Sequence, residues 1–600
     1  MIFVYIFLAL VAAFLIYFIV SLIWGKPVSI NLLYNRAFLA FLTRSPELLT
    51  QLGFLEGMGI NFHNAKLADE SEKSILKMYK IAEKNLRVLE SYSRKRQSPA
   101  QLLSTDIAGW FIDDLVRGKE YRHHDYPFNQ LFGVQNDLPA FMTTIHPINN
   151  RVNARNYIKR LRRFDVKLGQ VLDGVKIRGS KGVIPPRFVI QRVLEEMWNF
   201  IAVKPTANAL YTVYKEKIGK LKLSKKQKDA LLAGCEEAIR EVVYPAYQKL
   251  IEYHERVEKI ATNDDGVWKL PDGDHYYAHC LRSNTTTEMT PAEVHALGLK
   301  EVARIEKEMK AILKQLKYPT TDISGMILKF AKEKRFQYPN TDAGRKQCLA
   351  DYQKIIDHVD KNLEEVFDIR PKVGVKVERV PEFREKNCAG AYYNIPSLDG
   401  SRPGVFYANL RDMKEIAKWG MKTLAYHEAI PGHHFQLALA QELKGLPFFR
   451  RVIPFTVYAE GWALYAEKLA QEYGFLDDPY SELGYLQSEI FRAVRLVVDT
   501  GIHYKHWTRE KAIRYMQDHT GSNEKEVISE IERYIVMPGQ ACAYKVGELK
   551  IVALRQKAQK ALGKKFNIRE FHNAVLKNGS LPLDVLKKVV DNYIQTGGKK

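Results

Sequence analysis

Residues 426–436 read YHEAIPGHHFQ, and how this stretch is read decides the rest of the chain. It approaches the pattern H-E-x-x-H, in which two histidines one helical turn apart share one ion and the glutamate beside the first reaches the bound water. His427 and Glu428 stand as that pattern requires, but the next histidines are His433 and His434. On an unbroken helix they would lie about 9 and 10.5 Å along the axis from His427. Zinc ligands sit ~2.0–2.1 Å from the ion, so an unbroken helix keeps these side chains apart. Pro431 removes a helical hydrogen bond, and Gly432 permits unusual dihedrals. The pair predicts a bulge or broken turn that absorbs two residues and returns His433 to the one-turn position. His434 is its main competitor and is expected to face elsewhere.

Downstream, residues 458–467 read YAEGWALYAE, a helical stretch with Glu460 and Glu467 on one face. A second helix offering Glu460 completes a His₂Glu site with an open fourth position for water. Glu460 stands beside Gly461, an uncrowded position that suits a ligand. Glu467 reads as a partner that supports the site or forms a salt bridge. On spacing alone, polar helix surface or a satisfied core histidine competes with metal binding.

Around this centre the chain is long enough for two or three cores: 600 residues, 46% hydrophobic and 27% charged. That composition excludes a largely disordered protein. Five cysteines without paired spacing exclude a disulfide scaffold and a cysteine-based zinc module. The net charge of +22 is spread along the chain with no nucleic-acid motif, so no nucleic-acid partner is expected. Residues 2–24 carry no charge and at 1.5 Å per residue cover roughly the ~30 Å hydrocarbon layer. They lack a basic start, an A-x-A cut site and a cysteine, so the expectation is an uncleaved signal anchor over 1–25 rather than a cleaved leader or a lipoprotein anchor. The membrane is then a partner through this helix. Lys26, Arg36 and Arg44 argue for a cytoplasmic far side, yet a domain this large can translocate, and a periplasmic or extracellular location is expected.

From Leu67 onward helical spacing dominates, and 206–262 reads the same way. Turn signals at 264–266 and 271–273 mark 263–285 as a connection or small hairpin. Thr290-Pro291-Ala292-Glu293 is a capping box opening a helix to about Leu316. Within 374–410, VKVERV alternates and GVFYANL sits between turn signals, predicting a small sheet; the second of these strands can offer an edge to an extended peptide. The expected fold is mainly α: a signal anchor (1–25), an N-terminal helical region (26–285) and the metal-bearing region (286–600).

These residues resemble the bacterial family long filed as domain of unknown function 885, gluzincin-type metallopeptidase relatives with H-E-x-x-P-G-H-H and a following E-G-W-A-L-Y-x-E. Further resembling segments are 265–277, 285–299, 390–410, 495–513 and 538–551, so the likeness runs from about 50 to 590. More distantly the pattern is similar to angiotensin-converting enzyme and thimet oligopeptidase, whose H-E-x-G-H leaves Ala429 and Ile430 as a two-residue insertion here. The resemblance implies a two-lobed helical body around a deep groove, with a small sheet beside the metal. It implies Zn²⁺ held by His427, His433 and Glu460, with Glu428 as general base and a peptide as substrate, favouring oligopeptides or chain ends. Tyr544 and His503 look like the Tyr and His that stabilise the oxyanion in such enzymes. Arg495 or Lys545 could hold a substrate carboxylate. A zinc hydrolase of another amide or ester, and a non-enzymatic envelope scaffold, are the alternatives.

Overall fold

A computed structural model describes residues 18, 20, 21, 23, 25–385, 390–396 and 402–598. The chain divides into two compact units, one ending at Asp264 and including Lys269–Pro271, the other formed by Asp265–Trp268 and Asp272–Lys600.

The regular elements of the first unit are all helices among its described residues. The periodic stretch after Leu67 forms the helix Glu72–Glu90, opened by Ser71, whose hydroxyl accepts from the Ser74 N–H. The predicted helical region 206–262 forms Ala209–Gly219, Lys225–Ala238 and Tyr244–Glu258, the last two joined through a π turn at Ile239–Val243. That turn sits where Pro245 has no N–H to give the helix. The core gathers Tyr157, Phe164, Met197, Tyr214 and Tyr247. Its phenols find backbone acceptors: Tyr157 donates to Leu210 O (2.8 Å) and Tyr247 to Gln135 O (2.5 Å). A buried tyrosine needs such a partner.

The expected transmembrane signal anchor is corrected here. Among the described residues no helix is long and apolar enough to cross a membrane. The first fully described helix, Ile30–Leu42, buries Ile30, Leu33, Tyr34, Phe38 and Leu42. These residues recur at helical spacing, so its apolar stripe packs against protein. Most of residues 1–25 lie outside the described residues.

The second unit carries the site. Segment 263–285 forms a short 3₁₀ turn and the helix Gly273–Thr285 rather than a hairpin. The capping box appears as expected: α1 (Pro291–Gln315) starts at Thr290, whose hydroxyl accepts from Glu293 N–H while the Glu293 carboxylate accepts from Thr290 N–H. The small sheet is present, with β1 (Val375–Arg379), β2 (Ala391–Asn394) and β3 (Gly404–Ala408) in the order β1-β3-β2. β3 pairs in parallel with β1 and antiparallel with β2. The strand in GVFYANL is therefore central, with both edges taken, and offers none to a peptide.

Among the further helices of this unit, those used below are α2 (Met421–Glu428), α3 (His433–Glu442), α4 (Thr456–Glu472), α5 (Pro479–His503), α6 (Glu524–Val536) and α7 (Ala543–Leu562). Helices α4 and α7 approach backbone to backbone. A Cβ on Gly461 would stand 2.6 Å from Gly547 Cα, and one on Gly547 would stand 2.1 Å from Val457 O. Only glycine at both positions permits this crossing, which brings Glu460 and Tyr544 to neighbouring parts of the unit.

Candidate metal centre

The helix carrying His427 stops at Glu428. Ala429 (φ −110°, ψ −98°) and Gly432 (φ −81°, ψ −127°) leave helical geometry, the Ile430–Pro431 peptide is cis, and a new helix starts at His433. A Cβ on Gly432 would fall 1.9 Å from His427 O, so the chain folds back on itself more tightly than any other residue allows. The indole N–H of Trp462, fully buried on α4, donates to Pro431 O at 2.9 Å and fixes the break against the neighbouring helix.

The fold-back puts the His427 and His433 rings edge to face, with centroids 4.8 Å apart. Glu460 Oε2 lies 3.6 Å from His427 Nε2 and 3.4 Å from His433 Nε2. The three ligand atoms all lie within 4.8 Å of one another. Ligands ~2.0–2.1 Å from a tetrahedral ion are themselves about 3.3–3.4 Å apart, and the two His–Glu separations are compatible with that spacing. A second observation agrees. Glu460 Oε2 is buried and has no hydrogen-bond partner among the described residues, although buried acceptors are normally satisfied.

His427 is held from behind, whereas His433 Nδ1 is buried without a hydrogen-bond partner among the described residues. His427 Nδ1–H donates to Glu467 Oε1 at 2.7 Å, which turns the Nε2 lone pair toward Glu460 and His433. Ser488 donates to the other Glu467 oxygen at 2.9 Å, and Arg492 donates to the Ser488 hydroxyl at 2.7 Å. The electrostatics follow from this crowding. Burial alone would depress the His427 imidazolium, but Glu460 and Glu467 outweigh it and raise His427 to about 9. Burial alone would raise Glu460; the two imidazoles outweigh it and hold the carboxyl well below the usual range. Protons or a shared cation can satisfy the same three groups, and a cation that enters must release protons.

His434 takes no part in the cluster. Its Nδ1 lies 2.9 Å from the Tyr393 hydroxyl on β2, and burial pushes it down to about 4. Glu428 is buried at the end of α2, next to His427, and its carboxylate makes no hydrogen bond among the described residues. Tyr544 lies in the first turn of α7, where burial and then the nearby Glu460 carboxylate raise its phenol. His503 is placed differently from the oxyanion role expected of it. It is fully buried, its Nδ1 accepts from Val267 N–H (3.1 Å) and its Nε2 donates to Tyr534 O (3.0 Å). Both ring nitrogens are spent on main chain, which leaves none for a substrate oxygen. Lys545 is enclosed by carboxylates, 2.6 Å from Glu489, 2.6 Å from Glu548 and 3.4 Å from Glu301. The sequence reading missed the Trp462–Pro431 bond and Gly547; the aromatic inside E-G-W was the available signal for the first, and nothing local marks the second.

Residues 46–590 match the family described as bacterial protein of unknown function (DUF885), and the chain belongs to that family. No curated protein sequence matches it. Among solved structures it is similar to a candidate lipoprotein from Colwellia psychrerythraea, with 33% identity and a TM-score of 0.91, covering 94% of this chain and 99% of that one. It shares its fold with a candidate lipoprotein of unknown function from Shewanella oneidensis, with 17% identity and a TM-score of 0.74 over the same shares. A candidate oligoendopeptidase F from Bacillus anthracis aligns at 9% identity with a TM-score of 0.24, covering 87% of this chain and 96% of that one, a likeness too slight to carry an argument.

Proposed function

We propose that this member of the family is a zinc-dependent hydrolase that cleaves peptide bonds in oligopeptides or near chain ends. One observation carries the reading: two imidazoles and a carboxylate from separate helices converge within 4.8 Å, with the buried Glu428 next to His427 in the chain. His427, His433 and Glu460 would hold the ion. A structural zinc site is normally closed by four protein ligands, whereas three leave one position for water. When bound, the ion supplies Lewis-acid activation of water and of the scissile carbonyl.

The chain's own groups do the rest. Glu428 takes a proton from the attacking water and passes it to the leaving amine, a transfer that contributes typically 10²–10⁴-fold. Glu467 keeps His427 in the tautomer whose Nε2 faces the site. The Tyr544 phenol stays protonated at neutral pH, because burial raises it, and it supplies a donor to the oxygen that gains charge as the carbonyl carbon becomes tetrahedral. The relatives described as lipoproteins support a location outside the cytoplasm for this chain too. The test is Glu428→Gln: it should retain metal and lose peptide hydrolysis by roughly 10²–10⁴-fold. Full activity in that variant overturns the assignment of the base. Cleavage of esters or other amides without cleavage of peptides overturns the substrate class.

A further inference from the structure

Arg492, half-buried on α5, spends its guanidinium on a single serine. Its Nη1 donates to Ser488 Oγ (2.7 Å) and to Ser488 O (3.2 Å), one helical turn back. It forms no other hydrogen bond and no ion pair among the described residues, and its Nε is buried without a partner. An arginine fork ordinarily takes a carboxylate, as Arg495 on the same helix does with Glu530 at 2.9 Å. The carboxylate in line with Arg492 is Glu467, one hydroxyl further on: Ser488 Oγ donates to Glu467 Oε2 at 2.9 Å.

Chemistry fixes the direction of these bonds. A guanidinium has donors only, and a hydroxyl has one hydrogen. Because Ser488 Oγ accepts from Arg492, its hydrogen goes to Glu467, which is buried at 1% exposure. Glu467 then accepts on both oxygens, from Ser488 and from His427 Nδ1 at 2.7 Å. The His427 hydrogen therefore sits on Nδ1, and Nε2 faces Glu460. The opposite polarity has no start, since Arg492 cannot accept. We propose that Arg492 and Ser488 are positioning residues for the metal centre: through Glu467 they hold His427 in the tautomer and orientation that bind the ion. This rests on the metal site of the hydrolase reading and adds to it a helix, α5, that carries no ligand.

The test is zinc affinity of the full chain, measured by competition with a chelator. Ser488→Ala should weaken it by about 10-fold, the low end for outer partners of a metal ligand. Arg492→Met should do the same, whereas Arg492→Lys, whose ammonium can still donate to the hydroxyl, should recover most of the affinity. The decisive readout is dependence on Glu467: added to Glu467→Ala, the Ser488→Ala change should alter affinity by less than about 2-fold. A merely structural loss would cost the same on both backgrounds. Wild-type affinity in Ser488→Ala, or equal losses on both backgrounds, overturns the proposal and leaves the metal site standing. A wild type that binds no zinc overturns both, and a zinc-loaded wild type that cleaves no peptide overturns the hydrolase reading alone. If Glu467→Ala does not fold, the contrast between Arg492→Met and Arg492→Lys decides, and equal losses in those two overturn the proposal.

Discussion

At the scale of single residues, the site is decided by which polar atoms already have partners. Adjacent in sequence, His433 and His434 have opposite environments: one faces Glu460 at 3.4 Å, the other meets Tyr393 at 2.9 Å. Spacing alone left that choice open, because it depends on the path of the chain through Ile430–Gly432. Glu467 is predicted to matter through His427. Glu467→Gln should weaken zinc affinity by about 10–100-fold, measured by competition with a chelator; unchanged affinity would remove it from the site. Zinc binding should also depend on pH. His427 is raised to about 9 before metal enters, so the ion competes with a proton, and apparent affinity should climb as pH rises through the neutral range toward about 9. Calorimetry in buffers of different ionisation enthalpy would detect the released protons; binding without proton release would contradict the electrostatics described above.

At the scale of elements, two close approaches set the geometry, and they differ in how legible they were. The break between α2 and α3 follows from Pro431 and Gly432, and the need for two histidines to meet made it predictable before any coordinate. Gly432→Ala places a methyl 1.9 Å from His427 O, so the helices must move apart and zinc should be lost while the rest of the unit stays folded. Retention of zinc at wild-type affinity would show that the break tolerates a side chain. The crossing of α4 and α7 was not legible, because Gly547 sits in an ordinary helical stretch and its partner Gly461 is 86 positions away. Gly547→Ala should destabilise the protein by about 1–3 kcal/mol in thermal unfolding, as overpacked cores do; no change would mean the crossing has slack. The capping box at Thr290 and the helix after Leu67 were readable for the opposite reason, since their determinants are local. The strand in GVFYANL was recognised as a strand, but its central place was not, because pairing depends on two segments far from it in sequence.

At the scale of the whole molecule, buried neutral histidines link stability to acid. Burial lowers His146 to about 3 and His254 to about 4 in the first unit, and His503 to about 4 and His572 to about 3 in the second. In the unfolded chain each titrates near 6.5. The unfolded state therefore binds protons first. This contribution is complete above about pH 6.5 and is lost as pH falls toward 3–4, at up to about 1.4 kcal/mol per pH unit for each group. The unfolding temperature should fall steadily from pH 6.5 to 4, and a flat profile would contradict the burial of these rings. The proposed chemistry depends above all on His427, His433 and Glu460 gripping one ion. Elemental analysis of the purified chain beside its His433→Ala and His434→Ala variants tests it most directly. One zinc per chain in the wild type and in His434→Ala, with none in His433→Ala, is the predicted result. A folded wild type that binds no divalent metal, or a His433→Ala variant that keeps its zinc, would contradict it.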